Sequence, residues 1–146
     1  MSVTDDHVAA LRAHLALDPD KFERLNAQIF QAGDVAGYGK LVHAAFVSAA
    51  RRRFAPAWTV SDVIGFVVAA RLRLREIEID IDPRASEVLI RQALGEETAT
   101  DPDKEAGGRA QIFLLSELVF DENLDGAALD EFLVSARRLA ESGVEH

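Results

Sequence analysis

The sequence predicts an all-α fold, a single compact bundle of about seven helices that forms one domain over residues 1–146. Apolar residues recur at intervals of three and four along most of the chain, which is the period of an amphipathic helix. Asp-Pro pairs and threonines stand just before several of these segments, where they favour helix initiation. Alternation at every second residue, the period of a strand, is confined to one short stretch.

The first two helices are predicted from their start and stop residues. Thr4 precedes an apolar series with helical spacing that continues to about Leu17. Asp18 can then cap a second helix through its side-chain oxygen, and Pro19 fits the first helical position because its φ angle is already helical. Gly33 is expected to end this helix.

The third and fourth helices differ in composition. Residues 35–53 form a long helical pattern rich in small residues, and Pro56 interrupts it. Thr59 is the expected cap of the next helix, with Asp62 three positions later in the spacing of a capping box. Because the segment 60–75 is apolar on nearly all sides, it is predicted to be a buried central helix.

A short stretch after the fourth helix is the one place where the pattern indicates a strand. Ile77, Ile79 and Ile81 alternate with acids, which leaves room for at most one short strand or hairpin near 71–82. A two-residue hairpin turn here would lack the Gly or Asn that such turns demand. We therefore expect the helix to end near Arg75 and to be followed by an extended connector.

The last three helices follow the same rules. Asp82, followed by proline, opens a fifth helix that closes at Gly95. Residues 96–108 are polar and are predicted to form a loop. The strongly apolar segment 110–120 is the sixth helix, and a final amphipathic helix ends at Gly143.

An internal repetition links the two halves of the chain. Residues 18–30 and 101–113 share eight of thirteen letters, including DPDK and AQIF. One interpretation is a duplicated helical unit, 5–54 and 84–142, joined by the central helix. The alternative is that both segments use the same helix-start residues. Two adjacent glycines in the second copy cost about 2 kcal/mol in a helix relative to alanine, so that copy is expected to lie in the loop before its helix.

Most catalytic and metal-binding chemistry has no basis in the sequence. There is no cysteine, and no serine stands in a nucleophile motif. His7, His14 and His43 are not spaced as metal ligands, so they are expected to be solvated helix residues. The sequence therefore predicts no catalytic residue, no metal site and no cofactor.

A calcium loop is the nearest approach to a metal motif. Asp121, Asn123 and Asp125 alternate and are followed by Gly126, as in the first half of such a loop. The pattern then fails, because Phe132 stands where a bidentate glutamate is required. An interhelical turn is the favoured interpretation, with calcium binding as the minor alternative.

Charge is distributed unevenly along the chain. The net charge is −9, yet residues 40–75 carry seven basic residues and one acid. The basic residues are Lys40, Arg51, Arg52, Arg53, Arg71, Arg73 and Arg75. Arginines at helix C-termini are favoured by the helix dipole, and those after position 70 could pair with acids of the connector or of the 96–105 loop. The net charge and the apolar fourth helix argue against nucleic-acid binding.

Together these features predict a small, soluble, acidic, cytoplasmic protein that acts as a protein-interaction or regulatory module without catalytic activity. The expected interaction site is Arg51, Arg52 and Arg53 with the neighbouring Phe54 and Trp58, used in a homodimer or a complex with a protein partner. No membrane-spanning segment is expected.

The alternative function is binding of a small molecule, with or without catalysis. It would use an internal pocket lined by the aromatic residues Phe46, Phe54, Trp58 and Phe66.

Overall fold

A computed structural model of the chain describes residues 3–96 and 103–143. Within these residues the secondary structure consists of seven helices and no strand. They are α1 (Asp5–Leu15), α2 (Pro19–Gln31), α3 (Val35–Phe54), α4 (Val60–Arg75), α5 (Pro83–Ala93), α6 (Lys104–Asp121) and α7 (Gly126–Ser142). The predicted all-α fold with about seven helices is therefore confirmed.

Contacts divide the chain into two units. One combines Met1–Ala45 with Val119–His146, and the other is the continuous segment Phe46–Leu118. The boundaries fall inside α3 and α6, so they do not coincide with those of the suggested repeat. The duplication stays a prediction.

Local capping residues start several helices as the sequence predicts. The Thr59 hydroxyl accepts from the backbone N–H of Asp62 at 3.1 Å, and the Asp62 carboxylate accepts from the N–H of Thr59 at 2.9 Å. Asp18 and Asp82 each accept a backbone hydrogen bond from the first turn of their helices, in which proline occupies an initial position. These bonds satisfy N–H groups that a helix start leaves without partners.

His7 begins α1 in a way that corrects the prediction of a solvated histidine. Its Nδ1 accepts from the backbone N–H of Thr4 at 3.0 Å, while the backbone N–H of His7 donates to the Thr4 hydroxyl oxygen at 3.3 Å. On the other side of the ring, Nε2 donates to the carbonyl oxygen of Asp34 at 2.9 Å. The side chain is fully buried, and the protein tolerates this because both ring nitrogens have hydrogen-bond partners.

The discontinuous unit has a small apolar cluster between α1 and α2. Ala10, Leu25 and Ile29 are buried in it, and Phe22 and Tyr38 pack against it. Burial raises the pKa of the Tyr38 hydroxyl to about 12, because the charged phenolate would lose its hydration.

The start of α6 differs from the prediction. The helix begins at Lys104, and both Gly107 and Gly108 lie inside it instead of in a preceding loop. Asp103 caps it by accepting from the N–H of Ala106 at 3.1 Å. The two glycines cost only about 2 kcal/mol, which cap formation and burial of the apolar residues of α6 can offset. The remaining loop residues, 97–102, lie outside the described part of the chain.

The connector between α4 and α5 agrees with its prediction in part, because residues 76–78 form a hydrogen-bonded turn, with a φ of 62° at Glu78, instead of extended chain. Helix α4 ends at Arg75, and residues 79–82 have no regular secondary structure. Two arginines hold this segment through its carbonyl groups: the Nε of Arg71 donates to Ile81 at 3.1 Å, and the Nε of Arg109 donates to Asp80 at 3.0 Å. Ile81 is buried, so its side chain anchors the connector within the continuous unit.

Candidate interaction surface on helix α4

Helix α4 is buried on one side only, so the prediction of a helix covered on all sides is wrong. Its buried residues are Val63, Phe66, Val67, Ala70 and Leu74. Its exposed apolar residues, called here the α4 row, are Val60 (41% exposed), Ile64 (46%), Val68 (51%) and Leu72 (59%). The helix therefore has two apolar faces, of which one packs on the core and the other is open to solvent.

The α4 row has a regular geometry. Its members are separated by four residues each, so they follow a single ridge on the helix surface. Twelve residues separate the first from the last, which corresponds to roughly 18 Å along the helix axis. Exposed apolar side chains are normal when scattered, whereas a continuous ridge of them indicates a contact surface.

Small residues lie beside the row. Gly65 is exposed in the middle of the helix, and a Cβ atom built at this position meets no heavy atom within 4 Å. Ser61 is exposed one turn before it, and Ala69 is half-buried one turn after it. A helix that packs on this surface can therefore approach the α4 backbone closely, because no large side chain separates them.

Basic residues lie beside one end of the α4 row, whereas the acid at the other end of the helix, two positions after Val60, lies on the side away from the row. Asp62 lies in the first turn, where its carboxylate also belongs to the capping box. Arg71 and Arg75 lie near the other end, and by helical geometry they flank the row. Their side chains approach the Asp80 carboxylate at 3.6 Å and 3.9 Å, respectively. An ion pair at such distances on an exposed carboxylate contributes about 0–1 kcal/mol. The Nε of Arg71 also donates to the carbonyl of Ile81, so this arginine is held more firmly than Arg75 is.

The residues predicted as the interaction site have different environments. The Nε of Arg51 donates to the carbonyl of Ala93 at 3.0 Å, at the end of α5. Phe54 is buried, and its ring packs edge-on against Phe66 with centroids 5.7 Å apart. The guanidinium carbon of Arg53 lies 5.7 Å from the centroids of both rings. The Phe54 side chain therefore belongs to the core and not to an exposed patch.

The other residues of that predicted site are more accessible. Arg52 and Arg53 are exposed, and Trp58 is half-buried. A role of the five residues in an interface stays a prediction, since nothing in the geometry of the chain tests it. Exposed apolar side chains are present on the next helix, α4.

The predicted pairing of the later arginines is correct for two of three. Arg71 and Arg75 approach Asp80 of the connector, as described above. Arg73 instead pairs with Glu117 of α6, at 2.5 Å between Nε and Oε1. Glu117 is largely buried, so this ion pair is an internal link of the continuous unit.

The candidate calcium loop is an interhelical turn in the structure. Asn123 and Gly126 have positive φ angles, 55° and 51°, which suit a sharp turn between α6 and α7. Asp125 occupies the cap position of α7. Across residues 3–96 and 103–143, no group of three or more His, Asp or Glu side chains is placed to hold a metal ion.

The α4 row could have been found in the sequence from its spacing. A helix buried on all sides has no reason to place basic residues beside an apolar ridge, whereas 60–75 has Arg71 and Arg75 four positions apart next to Leu72. That combination is typical of an amphipathic surface with a large apolar component.

None of the helices in the described ranges is both long enough and apolar enough to cross a membrane. Comparison with known proteins gives no match to a family model, to a curated protein or to a solved structure.

Proposed function

We propose that this chain is a non-catalytic protein-interaction module that binds a helix of a partner protein on the exposed side of α4. The observation that carries this proposal is the α4 row, a solvent-exposed apolar ridge with arginines beside one end. It is a little over three helical turns long. Amphipathic helices bind to such surfaces through apolar residues at helical spacing, and charged residues at the edge determine their orientation.

The binding free energy can be approximated from the apolar surface of the α4 row that a partner would bury. Full burial of a Val, Leu or Ile side chain contributes about 1.5–3 kcal/mol, so covering four half-exposed ones contributes roughly 3–6 kcal/mol. Association has a large entropic cost, so the row needs further contacts from its flanks. A regulatory, reversible interaction fits this balance better than a permanent complex does.

The aromatic cluster gives less support to the alternative function. Phe54 and Phe66 fill space against each other, and Phe46 is buried as well. Of the four residues that were expected to line a pocket, these three are therefore buried, and Trp58 is half-buried. Small-molecule binding in such a pocket has no specific observation in its favour, and the cytoplasmic location stays a prediction from composition.

Capture of partners by variants of the α4 row tests the proposal. Bait protein would be crosslinked in an extract of its source cells, and both other proteins and differently tagged copies of the chain would be quantified by mass spectrometry. Ile64→Glu with Val68→Glu should abolish capture, because two carboxylates would have to be desolvated at the contact.

A matched control uses exposed valines on other helices. Val35 and Val134 are each 50% exposed, so Val35→Glu with Val134→Glu adds the same charge away from α4. This control should retain the captured partner. Equal recovery by both double variants, or no specific partner of the wild type at all, would contradict the proposed function.

A further inference from the structure

We infer that three arginines of the continuous unit, Arg71, Arg75 and Arg109, form a binding site for a phosphate group. They are called here the arginine cluster, and they converge from α4 and α6 on the connector residues Asp80 and Ile81. This inference goes beyond the proposed function, because it concerns an anion bound by the cluster and not a helix bound on the α4 row.

Two of these guanidinium groups are fixed in position by the backbone of the connector. The Nε of Arg71 donates to the carbonyl of Ile81 at 3.1 Å, and the Nε of Arg109 donates to the carbonyl of Asp80 at 3.0 Å. The guanidinium carbon of Arg109 also lies 5.3 Å from the centroid of the Phe113 ring. Because these contacts order the side chains before a ligand arrives, binding costs little additional conformational entropy.

The carboxylate of Asp80 lies between two arginines of the cluster without a hydrogen bond to either of them. Its Oδ1 atom is 3.6 Å from Nη2 of Arg71 and 3.9 Å from Nε of Arg75. A charge-assisted hydrogen bond requires about 2.7–2.9 Å between the two atoms. Both guanidinium groups therefore face the same carboxylate oxygen at distances that leave their N–H donors available to a larger anion.

Hydrogen-bond donors of the arginine cluster outnumber its acceptors. Within residues 3–96 and 103–143, Arg71 and Arg109 each use only the Nε donor, and Arg75 has no hydrogen-bond acceptor. A guanidinium group has five N–H donors, and the two nitrogens at its end form a fork that fits the oxygens of a phosphate. A phosphate group presents three strong acceptor oxygens, so it can bond to several members of the cluster at once, which a carboxylate with two oxygens does less well.

The charge of the arginine cluster suits a dianion. Asp80 is the one acid at ion-pair distance from these three arginines in the described ranges, so two positive charges remain. The other acids of the connector are not in direct contact with the cluster: Asp82 caps α5 by accepting from the N–H of Ala85, and Glu76 and Glu78 are exposed without an ion pair to a described residue. A phosphate group carries about −1.5 to −2 charges at neutral pH, which matches the excess.

Asp80 competes with the phosphate group for the cluster from within the chain. Its side chain is 77% exposed, and its carboxylate makes no hydrogen bond to the described residues, so its replacement leaves the fold intact. Asp80→Asn should bind phosphate about fivefold more tightly than the wild type, because the ligand no longer meets a negative charge. Arg75→Gln should bind it about fivefold more weakly, and it also breaks no hydrogen bond to the connector.

Titration of the isotopically labelled chain with sodium phosphate, at an ionic strength held constant with chloride, measures this binding by NMR. The backbone amide signals of Asp80, Ile81 and Arg109 should shift and saturate as phosphate replaces chloride. Arg24→Gln is the matched control, because Arg24 is an exposed arginine of α2 without an ion pair to a described residue. This variant changes the net charge as Arg75→Gln does, and it should bind phosphate like the wild type.

A second probe, the amide of N-acetyl-phosphoserine, distinguishes the two sources of a phosphate group. Tighter binding of this probe would indicate that the cluster binds a phosphorylated side chain, and tighter binding of inorganic phosphate would indicate the free ion. The inference would be overturned if neither probe caused a saturating shift. Equal affinity of Arg75→Gln and Arg24→Gln, or no gain in affinity in Asp80→Asn, would overturn it as well.

Discussion

At the scale of single residues, the side chain of His7 joins the start of α1 to the turn before α3 through hydrogen bonds. Because Nδ1 accepts a hydrogen bond from Thr4, the ring proton must lie on Nε2, which donates to the carbonyl of Asp34. The neutral imidazole therefore satisfies both the start of α1 and the turn before α3. A glutamate, the usual residue at this position of a capping box, could accept from Thr4 but could not donate to a carbonyl.

Because one side of α4 is buried and the other is exposed, the same substitution at valines on the two sides should have different effects on stability. Val63 is completely buried and Val68 is half-exposed, although both belong to the same helix. Val63→Asp should lower the free energy of unfolding by about 3–5 kcal/mol or prevent folding, since the carboxylate would lose its hydration. Val68→Asp should change it by less than about 0.5 kcal/mol. Urea unfolding of dilute protein measures both, and similar effects would contradict the burial assigned to α4.

The environment of His14 predicts that the stability of the protein decreases at acidic pH. Burial lowers the pKa of this side chain from its ordinary value of 6.5, because the imidazolium is less well hydrated in the folded state. The unfolded chain then binds more protons at His14 than the folded chain does, so stability contributed by His14 is present above pH 6.5 and decreases as the pH falls through the folded pKa.

Thermal unfolding of wild type and of His14→Gln at about pH 7.5 and at about pH 5, on either side of the ordinary histidine pKa, measures this contribution. The variant should lose less stability than the wild type over that interval, since a glutamine side chain does not titrate. Identical pH profiles would show that His14 is as easily protonated in the folded protein as in the unfolded chain.

At the scale of the element, replacing one of the two glycines in α6 should raise the stability of the protein. Gly108 is exposed, lies within the helix and has no heavy atom within 4 Å of an added Cβ. Gly108→Ala should therefore raise the free energy of unfolding by about 0.5–1 kcal/mol. Gly95 has equally open surroundings but a φ of +94°, so Gly95→Ala should destabilise the protein instead. Chemical denaturation distinguishes the two, and a loss of stability in Gly108→Ala would be contrary to this argument.

The turn between α6 and α7 predicts no response to calcium. Its positive φ angles at Asn123 and Gly126 account for the residues of the DENLDG stretch without a metal ion. Millimolar calcium should leave the melting temperature of the wild type unchanged. A rise that disappears in Asp125→Ala would show that this turn binds the ion.

Helix starts were predictable because their chemistry is local. Thr59 with Asp62, and Asp82 before a proline, form bonds within three residues, so the sequence contains all the participants. The start of α6 was not predictable in this way, because the free-energy cost of two glycines must be weighed against the burial of apolar residues along the rest of the helix. The exposed side of α4 was indicated in the sequence by Arg71 and Arg75 beside Leu72. The neighbours that cover the other apolar face depend on tertiary structure, which the sequence pattern does not contain.

At the scale of the whole molecule, the positive block 40–75 of the sequence includes both the predicted interaction site and α4. Charge alone did not distinguish between these two surfaces. Sequence distance placed Phe54 beside the arginines on the surface, whereas its ring packs against Phe66 on the next helix. Contacts of that kind depend on the fold of the continuous unit, which a linear pattern does not contain.

The division into a continuous and a discontinuous unit has a consequence for the order of events during synthesis. Phe46–Leu118 has all its residues before α7 is translated, whereas the unit that contains α1 also needs the segment from Val119 onward. Arg137 donates to the carbonyl of Val3 at 2.8 Å and to Asp5 at 2.7 Å, so these bonds join opposite ends of the chain. A nascent chain that has already folded its middle has fewer conformations to lose when these distant partners meet. The contacts of α1 with α7 can therefore form only after the ribosome has synthesised α7, whereas α1 and α2 are both available to pair from the start.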